Sequence, residues 1–255
     1  MSDPISKLTY VKIKEAYCME SITETMWREE GQTSSTTKSS MVNDNTISID
    51  ITRNFSLLNH ASKRLFDIVF ATFAIVVLIP VFLVIAFCII LEDGGDVFYF
   101  REMIGLRGRR FFMLKFRTML PNADTYLEQH PELKLEYQKN MKLQYDPRIT
   151  RLGRFLRKTY LDELPQLFNV LLGQMSFVGP RAIHQSELPF YGEYAEKRHT
   201  VKPGITGLWQ ISPDRFRCYE ERIPLDMQYI DKRSFFLDLA ILLKTLKVLI
   251  ISKGI

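Results

Sequence analysis

Ile68-Val69-Phe70-Ala71-Thr72-Phe73-Ala74-Ile75-Val76-Val77-Leu78-Ile79-Pro80-Val81-Phe82-Leu83-Val84-Ile85-Ala86-Phe87-Cys88-Ile89-Ile90-Leu91 is a run of 24 residues without a formal charge. At about 1.5 Å per residue, a helix of that length crosses a hydrocarbon core of roughly 30 Å. Pro80 stands near its centre, where it removes a helical hydrogen bond and clashes with the preceding turn, so a kink or break is expected there. Each half is then only about 17 Å long. Lys63 and Arg64 precede the run, and Arg101, Arg107, Arg109 and Arg110 follow it. Basic flanks on both sides belong in the cytoplasm. A helix-break-helix that enters one leaflet and returns satisfies that requirement, and a straight span does not. The sequence therefore predicts a re-entrant membrane hairpin over residues 61–92; the alternatives are a kinked single span and a buried core helix.

Outward from the run, the two ends of the chain differ. Residues 1–60 are polar, with Gln32-Thr33-Ser34-Ser35-Thr36-Thr37-Lys38-Ser39-Ser40 at their centre, and read as a largely flexible tail without the features of a secretory signal. They carry six Lys and Arg against eight Asp and Glu, so the chain's net charge of +5 conceals a body that is more basic than the whole. A basic body suits nucleic acid, an anionic membrane face or a phosphorylated substrate, and the apolar run favours the membrane. Cys18, Cys88 and Cys218 are far apart and have no metal-binding spacing, which fits a reducing compartment and no structural zinc. At the far end, Phe235, Phe236, Leu239, Leu243, Leu246 and Ile250 fall within about 100° of a helical wheel, with Asp238, Lys244 and Lys247 elsewhere. Residues 235–255 are expected to form an interfacial amphipathic helix, or else a helix packed on the body.

Residues 93–234 make the cytoplasmic body. Val97 to Glu102 and Phe111 to Thr118 are strand-like and joined by a loop with two glycines and three arginines, predicting a hairpin. On its second strand Lys115 and Arg117 share a face, as solvated surface or as part of a phosphate pocket. Pro131 starts a helix toward Leu143, and Asp146-Pro147 ends it. Then comes a segment with Arg148, Arg151, Arg154, Arg157 and Lys158, followed directly by Asp162 and Glu163. Thr159-x-x-Asp162 also fits a helix cap, and surface Arg-Asp pairs are common. Beside guanidinium groups a carboxylate is expected to stay ionised at neutral pH, able to attack or to ligate a metal while the arginines hold phosphate oxygens. Glu163 to Leu172 reads as a short helix with Pro165 in its first turn and Gly173 as its stop, which puts the acid pair at a helix N-terminus that favours phosphate. Adjacent residues diverge by about 100°, so one acid would attack while the other holds a hard divalent ion such as Mg²⁺. Gly179-Pro180-Arg181 and Lys202-Pro203-Gly204-Ile205-Thr206-Gly207 are turns able to bring backbone near a nucleotide.

In order, Lys63-Arg64-Leu65-Phe66-Asp67, the proline-broken run, Lys115-Phe116-Arg117-Thr118-Met119, Asp146-Pro147-Arg148, Leu161-Asp162-Glu163-Leu164-Pro165-Gln166-Leu167-Phe168-Asn169, Ser176-Phe177-Val178-Gly179-Pro180-Arg181 and Lys202-Pro203-Gly204-Ile205-Thr206-Gly207 resemble the bacterial sugar transferase family, the monotopic phosphoglycosyl transferases. The resemblance covers roughly Lys63 to Ile251. It implies a membrane-associated monotopic α/β (α+β) fold. It also implies transfer of a sugar 1-phosphate from a UDP-sugar to undecaprenyl phosphate, or another polyprenol phosphate, with release of UMP, on the cytoplasmic face of the bacterial inner membrane. Exopolysaccharide, O-antigen, capsule or glycoprotein glycan assembly would begin with that step. By similarity Asp162 forms a phospho-aspartate and Glu163 helps bind Mg²⁺, with Asp162 as a further ligand. Arg157 and Arg181 match positions near the phosphates, and Lys115, Arg117, Lys202 and Thr206 are further substrate-binding candidates. Three positions depart from the family pattern: Ile79 replaces the usual serine before the proline, Ala182 replaces proline, and Lys202 replaces an arginine able to grip phosphate bidentately.

The chain has no Walker-type phosphate loop, no kinase Gly-rich loop and no Asp-x-Asp, which argues against other phosphoryl-transfer enzymes. A non-catalytic membrane adaptor with a basic platform is the alternative of a different class. A nucleic-acid partner is not expected, and homo-oligomerisation is left open.

Overall fold

The computed structural model describes residues 47–140, 143, 145–212 and 221–251. Residues 1–46, with most of the expected tail, Cys18 and the Ser/Thr-rich centre, lie outside the described residues, as does Cys218. Helix α1 spans Ile47–Asp93 and contains Pro80. It begins inside the segment read as tail, so the boundary expected near residue 60 falls within a helix. It also continues through Pro80 instead of dividing into two helices. Loss of one N–H is tolerated because α1 is held on both sides of the proline, by Ala71 in one apolar cluster and by Val81, Phe82, Ile85 and Ile89 in another. Among the described residues, α1 is the one helix long and apolar enough to cross a membrane. Its outer face exposes Phe73, Val76, Leu83, Val84, Phe87 and Leu91.

The hairpin follows as β1 (Phe98–Ile104) and β2 (Arg110–Phe116), antiparallel, with Phe98 opposite Phe116 and Ile104 opposite Arg110. Alternation sends Met103, Phe111 and Met113 to one cluster and Phe116, on the other face, to Ile85, Ile89 and Leu156. Helices α2 (Ala123–Gln129), α3 (Pro131–Asn140) and α4 (Arg151–Lys158) come next. Thr150 caps α4, its hydroxyl accepting from Gly153 N. Gly153 is required there, since a Cβ would lie 2.1 Å from the carbonyl oxygen of Thr118. That close approach brings the first turn of α4 against the chain just past the end of the hairpin.

Helix α5 (Gln166–Leu171) stops at Gly173, whose φ of +81° provides the left-handed exit. Strand β3 (Ser176–Val178) pairs in parallel with β4 (Gly204–Thr206). Between them lie a 3-10 segment, Gln185–Tyr194, and α6 (Ala195–Arg198). Helices α7 (Leu208–Ile211), α8 (Arg222–Lys232) and α9 (Phe235–Ile251) complete the described chain. Ile241 of α9 is buried with Val178, Ile183, Met227 and Ile230, while Phe236, Leu243 and Leu246 of the apolar stripe are exposed. α9 therefore packs on the body with one face and presents the other, a combination that neither sequence alternative described alone. The fold is a mixed one of helices around two small sheets, with exposed apolar surface on α1 and α9.

Candidate active site

The acid pair sits in a 3-10 turn, Leu161–Glu163, between α4 and α5, not in the first turn of a longer helix. Tyr160 enters it at φ 58°, a left-handed conformation rare for a side chain of that size. The strained entry turns Asp162 inward and leaves it 8% exposed.

Asp162 and Glu163 occupy different environments. Burial pushes the Asp162 carboxyl up to about 6, against the pull of Lys115 and Arg157 and with the help of the Glu163 charge. The expected ionisation at neutral pH therefore holds, but with a narrow margin, because loss of water outweighs the neighbouring cations. It remains mostly charged at pH 7, poised close to its titration. Glu163 is also desolvated, yet Lys115 and Arg181 together hold it below the usual glutamate range. Lys115 Nζ donates to Glu163 Oε1 at 2.6 Å.

Arg157 Nε donates to Thr118 Oγ1 at 2.9 Å. Burial lowers its guanidinium below the usual arginine range, and the charges of Asp162 and Asp146 oppose that. Arg181 is exposed on the turn after β3. The structure thus brings Lys115, Arg157 and Arg181 around the acid pair.

Three other candidates are placed differently. Arg117 pairs with Asp93 and donates to the Asp96 carbonyl, fastening the end of α1 to the hairpin. Lys202 lies half-buried beside Arg64 and Lys63, where burial and then the Arg64 charge lower its pKa. Thr206 is buried and shares a 2.7 Å hydrogen bond with Thr245 of α9.

Two residues that carried no assigned role in the sequence position the site. Thr118 holds Arg157, as described. Asn169 accepts from Leu114 N at 2.9 Å and donates to Phe112 O at 2.7 Å. It is 0% exposed, and it ties α5 to the backbone of β2 and so fixes Lys115 relative to Glu163. A fully polar side chain within the apolar Leu167-Phe168-Asn169-Val170-Leu171 run is the signal that could have found it. Asp146 and Arg148 form a bidentate pair at 2.9 and 2.8 Å behind Arg157.

The donors available for a divalent ion are the Asp162 and Glu163 carboxylates. Among the described residues no group of three or more His, Cys, Asp or Glu gathers. Two carboxylates of a hard type fit Mg²⁺, which commonly takes its other ligands from substrate phosphates and water. An ion at Glu163 would compete with Lys115 for the same oxygen.

A desolvated carboxylate with cations around it thus lies in a body whose helices α1 and α9 expose apolar surface. The sequence matches the bacterial sugar transferase family over residues 58–252. The exopolysaccharide production protein ExoY of Sinorhizobium fredii is 42% identical over 197 residues, 76% of this chain and 87% of the relative. The undecaprenyl-phosphate galactose phosphotransferase of Salmonella typhimurium is 41% identical over 196 residues, 75% of this chain and 41% of the relative. The UDP-glucose:undecaprenyl-phosphate glucose-1-phosphate transferase of Xanthomonas campestris pv. campestris is 40% identical over 192 residues, 72% of this chain and 38% of the relative. The chain thus spans less than half the length of the last two. It belongs to the bacterial sugar transferase family and is a transferase.

Proposed function

We propose that the protein transfers a sugar 1-phosphate from a UDP-sugar to undecaprenyl phosphate, or a similar polyprenol phosphate, through a covalent intermediate on Asp162. The observation that carries this reading is a buried carboxylate pushed up to about 6 between Lys115 and Arg157, a group ionised at neutral pH yet weakly solvated and hence a competent nucleophile. The names of the Salmonella and Xanthomonas relatives supply the lipid acceptor and, for the latter, the UDP-sugar donor.

In this scheme an Asp162 carboxylate oxygen attacks the phosphorus that bears the sugar. The bond to the bridging oxygen breaks, and UMP leaves with the electron pair. An oxygen of the lipid phosphate then attacks the same phosphorus, forming the pyrophosphate linkage and returning Asp162 as a carboxylate. No proton needs to move in either displacement. Lys115, Arg157 and Arg181 offset the charge of the phosphoryl oxygens as it redistributes. Bound Mg²⁺ would supply further charge neutralisation between Glu163, Asp162 and the phosphates.

We further propose that α1 re-enters the cytoplasmic leaflet of the bacterial inner membrane, bending at Pro80. Arg64 donates to the carbonyls of Val170 and Leu171, while the Phe82 ring packs on Phe168 at 5.8 Å. A straight helix would hold residues 64 and 82 about 27 Å apart, yet both touch the short helix α5, only about 9 Å long. The basic flanks and the half-exposed stripe of α9 agree with a body seated on the cytoplasmic face, where a polyprenol phosphate presents its charge.

The test is UMP release by detergent-solubilised protein with undecaprenyl phosphate, Mg²⁺ and a panel of UDP-sugars, beside Asp162→Asn. Lipid-dependent release lost in the variant supports the reading and names the sugar. Release undiminished in the variant refutes Asp162 as nucleophile, and no release by folded wild type favours the adaptor.

A further inference from the structure

Arg198 and Arg222 are buried to 0% and 3% exposure, far from any expectation of the sequence, and both point at one atom. Arg198 Nη2 donates to the carbonyl oxygen of Arg181 at 2.6 Å, and Arg222 Nη2 donates to the same oxygen at 2.7 Å. Burying two guanidinium groups is costly unless compensated. Part of the compensation is Asp226, 1% exposed, which accepts from Arg222 Nε at 3.3 Å and from the Tyr191 hydroxyl at 2.6 Å. Arg198 is compensated mainly through Tyr191, its guanidinium carbon lying 5.8 Å from that ring's centroid, and through the charge of Asp226. Packing alone would be served as well by an apolar side chain at 198.

The backbone on both sides of Arg181 is hydrogen-bonded, at Gly179, Pro180 and Ile183. Gly179 N donates to Thr206 O, Gly204 N donates to Pro180 O, and Ile104 N donates to Ile183 O, each at 2.9 Å. The Arg181 side chain, by contrast, is exposed and close enough to Glu163 to lower its pKa. An exposed cation is thus carried on a hydrogen-bonded base beside the acid pair.

We propose that Arg198 and Arg222 are positioning residues, a buried guanidinium clamp that holds the Arg181 main chain so that its guanidinium meets a phosphoryl group at the acid pair. The role of phosphate ligand for Arg181 rests on the proposed function; the clamp adds what aims it. Loss of either arm lets the Gly179-Pro180-Arg181 turn relax, and a cation displaced by about 1 Å loses much of its effect on the transferring group.

The test is a double-mutant cycle between Arg198 and Arg181 in the full chain, read first as the Kd for inorganic pyrophosphate with Mg²⁺ present. Arg181→Ala is expected to weaken binding about tenfold, Arg198→Met about fivefold, and the double variant no more than Arg181→Ala alone. In UMP release the Arg198→Met loss falls on kcat more than on KM and vanishes in the Arg181→Ala background. Losses that multiply overturn the clamp, as does wild-type affinity in Arg198→Met or absence of pyrophosphate binding by the wild type. Should Arg198→Met fail to fold, the same cycle with Arg222→Met, which removes the donor of the second arm, decides it by the same criteria. A wild type that binds pyrophosphate but releases no UMP would refute the proposed reaction while leaving the clamp to be judged on binding.

Discussion

Asp146 and Asp162 flank one arginine-rich segment and face opposite fates. Asp146 is desolvated too, but three hydrogen bonds from Arg148, two from its side chain and one from its backbone, together with its charge more than offset that and bring it below the usual aspartate range. Asp162, on the far side of α4, has Lys115 and Arg157 as neighbours, yet no side chain among the described residues hydrogen-bonds it, and burial wins. The difference shows that arginines close in sequence do not by themselves lower a buried carboxylate's pKa; bonded geometry does. A satisfied acid anchors structure, and an unsatisfied one is left able to react.

The largest expected effect breaks the comparison at its reactive end. Asp162→Asn should lower lipid-dependent UMP release by at least about 1,000-fold, measured as initial rates, whereas Asp146→Asn should retain turnover where it remains folded.

The second contrast concerns stability. A raised folded pKa means that the native state binds the proton more tightly than the unfolded chain, so Asp162 costs stability as pH climbs from about 4 through about 6. Asp162→Asn should therefore be more stable than wild type at pH 7.5, by up to about 3 kcal/mol, the gain disappearing near pH 4. Asp146 has the opposite sign. Its stabilisation is complete above the unfolded aspartate pKa and is lost as pH falls through the lowered folded value. Asp146→Asn should be less stable at pH 7.5 by about 2 kcal/mol, measured by denaturant unfolding in detergent, because Arg148 is left buried without its partner.

The smallest effect sharpens the account of Asp162 itself. Wild-type activity should fall on the acid side as the nucleophile takes up its proton, at about 6 for the metal-free pair and lower with a divalent ion bound to it. Lys115→Met removes the largest charge that lowers this pKa, so the acid limb of the kcat/KM profile should move to higher pH. An unmoved limb would mean that another group controls it.

Much of this was legible because it depends on local pattern. The apolar run about Pro80, the hairpin, the Gly173 stop and the start of α9 follow from periodicity and turn chemistry. The acid pair stood out through its composition and position. What could not be read depends on chain segments far apart in sequence. Arg117 meets Asp93 and Thr206 meets Thr245, contacts that no spacing encodes. Lys202 sits in a turn that looks fit for phosphate, and its neighbours Arg64 and Lys63 belong to α1, a proximity no spacing encodes. The raised pKa of Asp162 was illegible for the same reason, since desolvation is a property of the packed site and not of the residues beside it in the chain.

The central claim is that Asp162 itself carries the transferred group. Wild-type protein incubated with its UDP-sugar and Mg²⁺, but no lipid, should release UMP in an amount limited by the enzyme. Acid-quenched peptide mass spectrometry should then find a sugar phosphate on Asp162, and addition of undecaprenyl phosphate should discharge it. An active enzyme that releases UMP only when the lipid is present, with Asp162 unmodified throughout, would contradict the account and point to direct attack by the lipid phosphate.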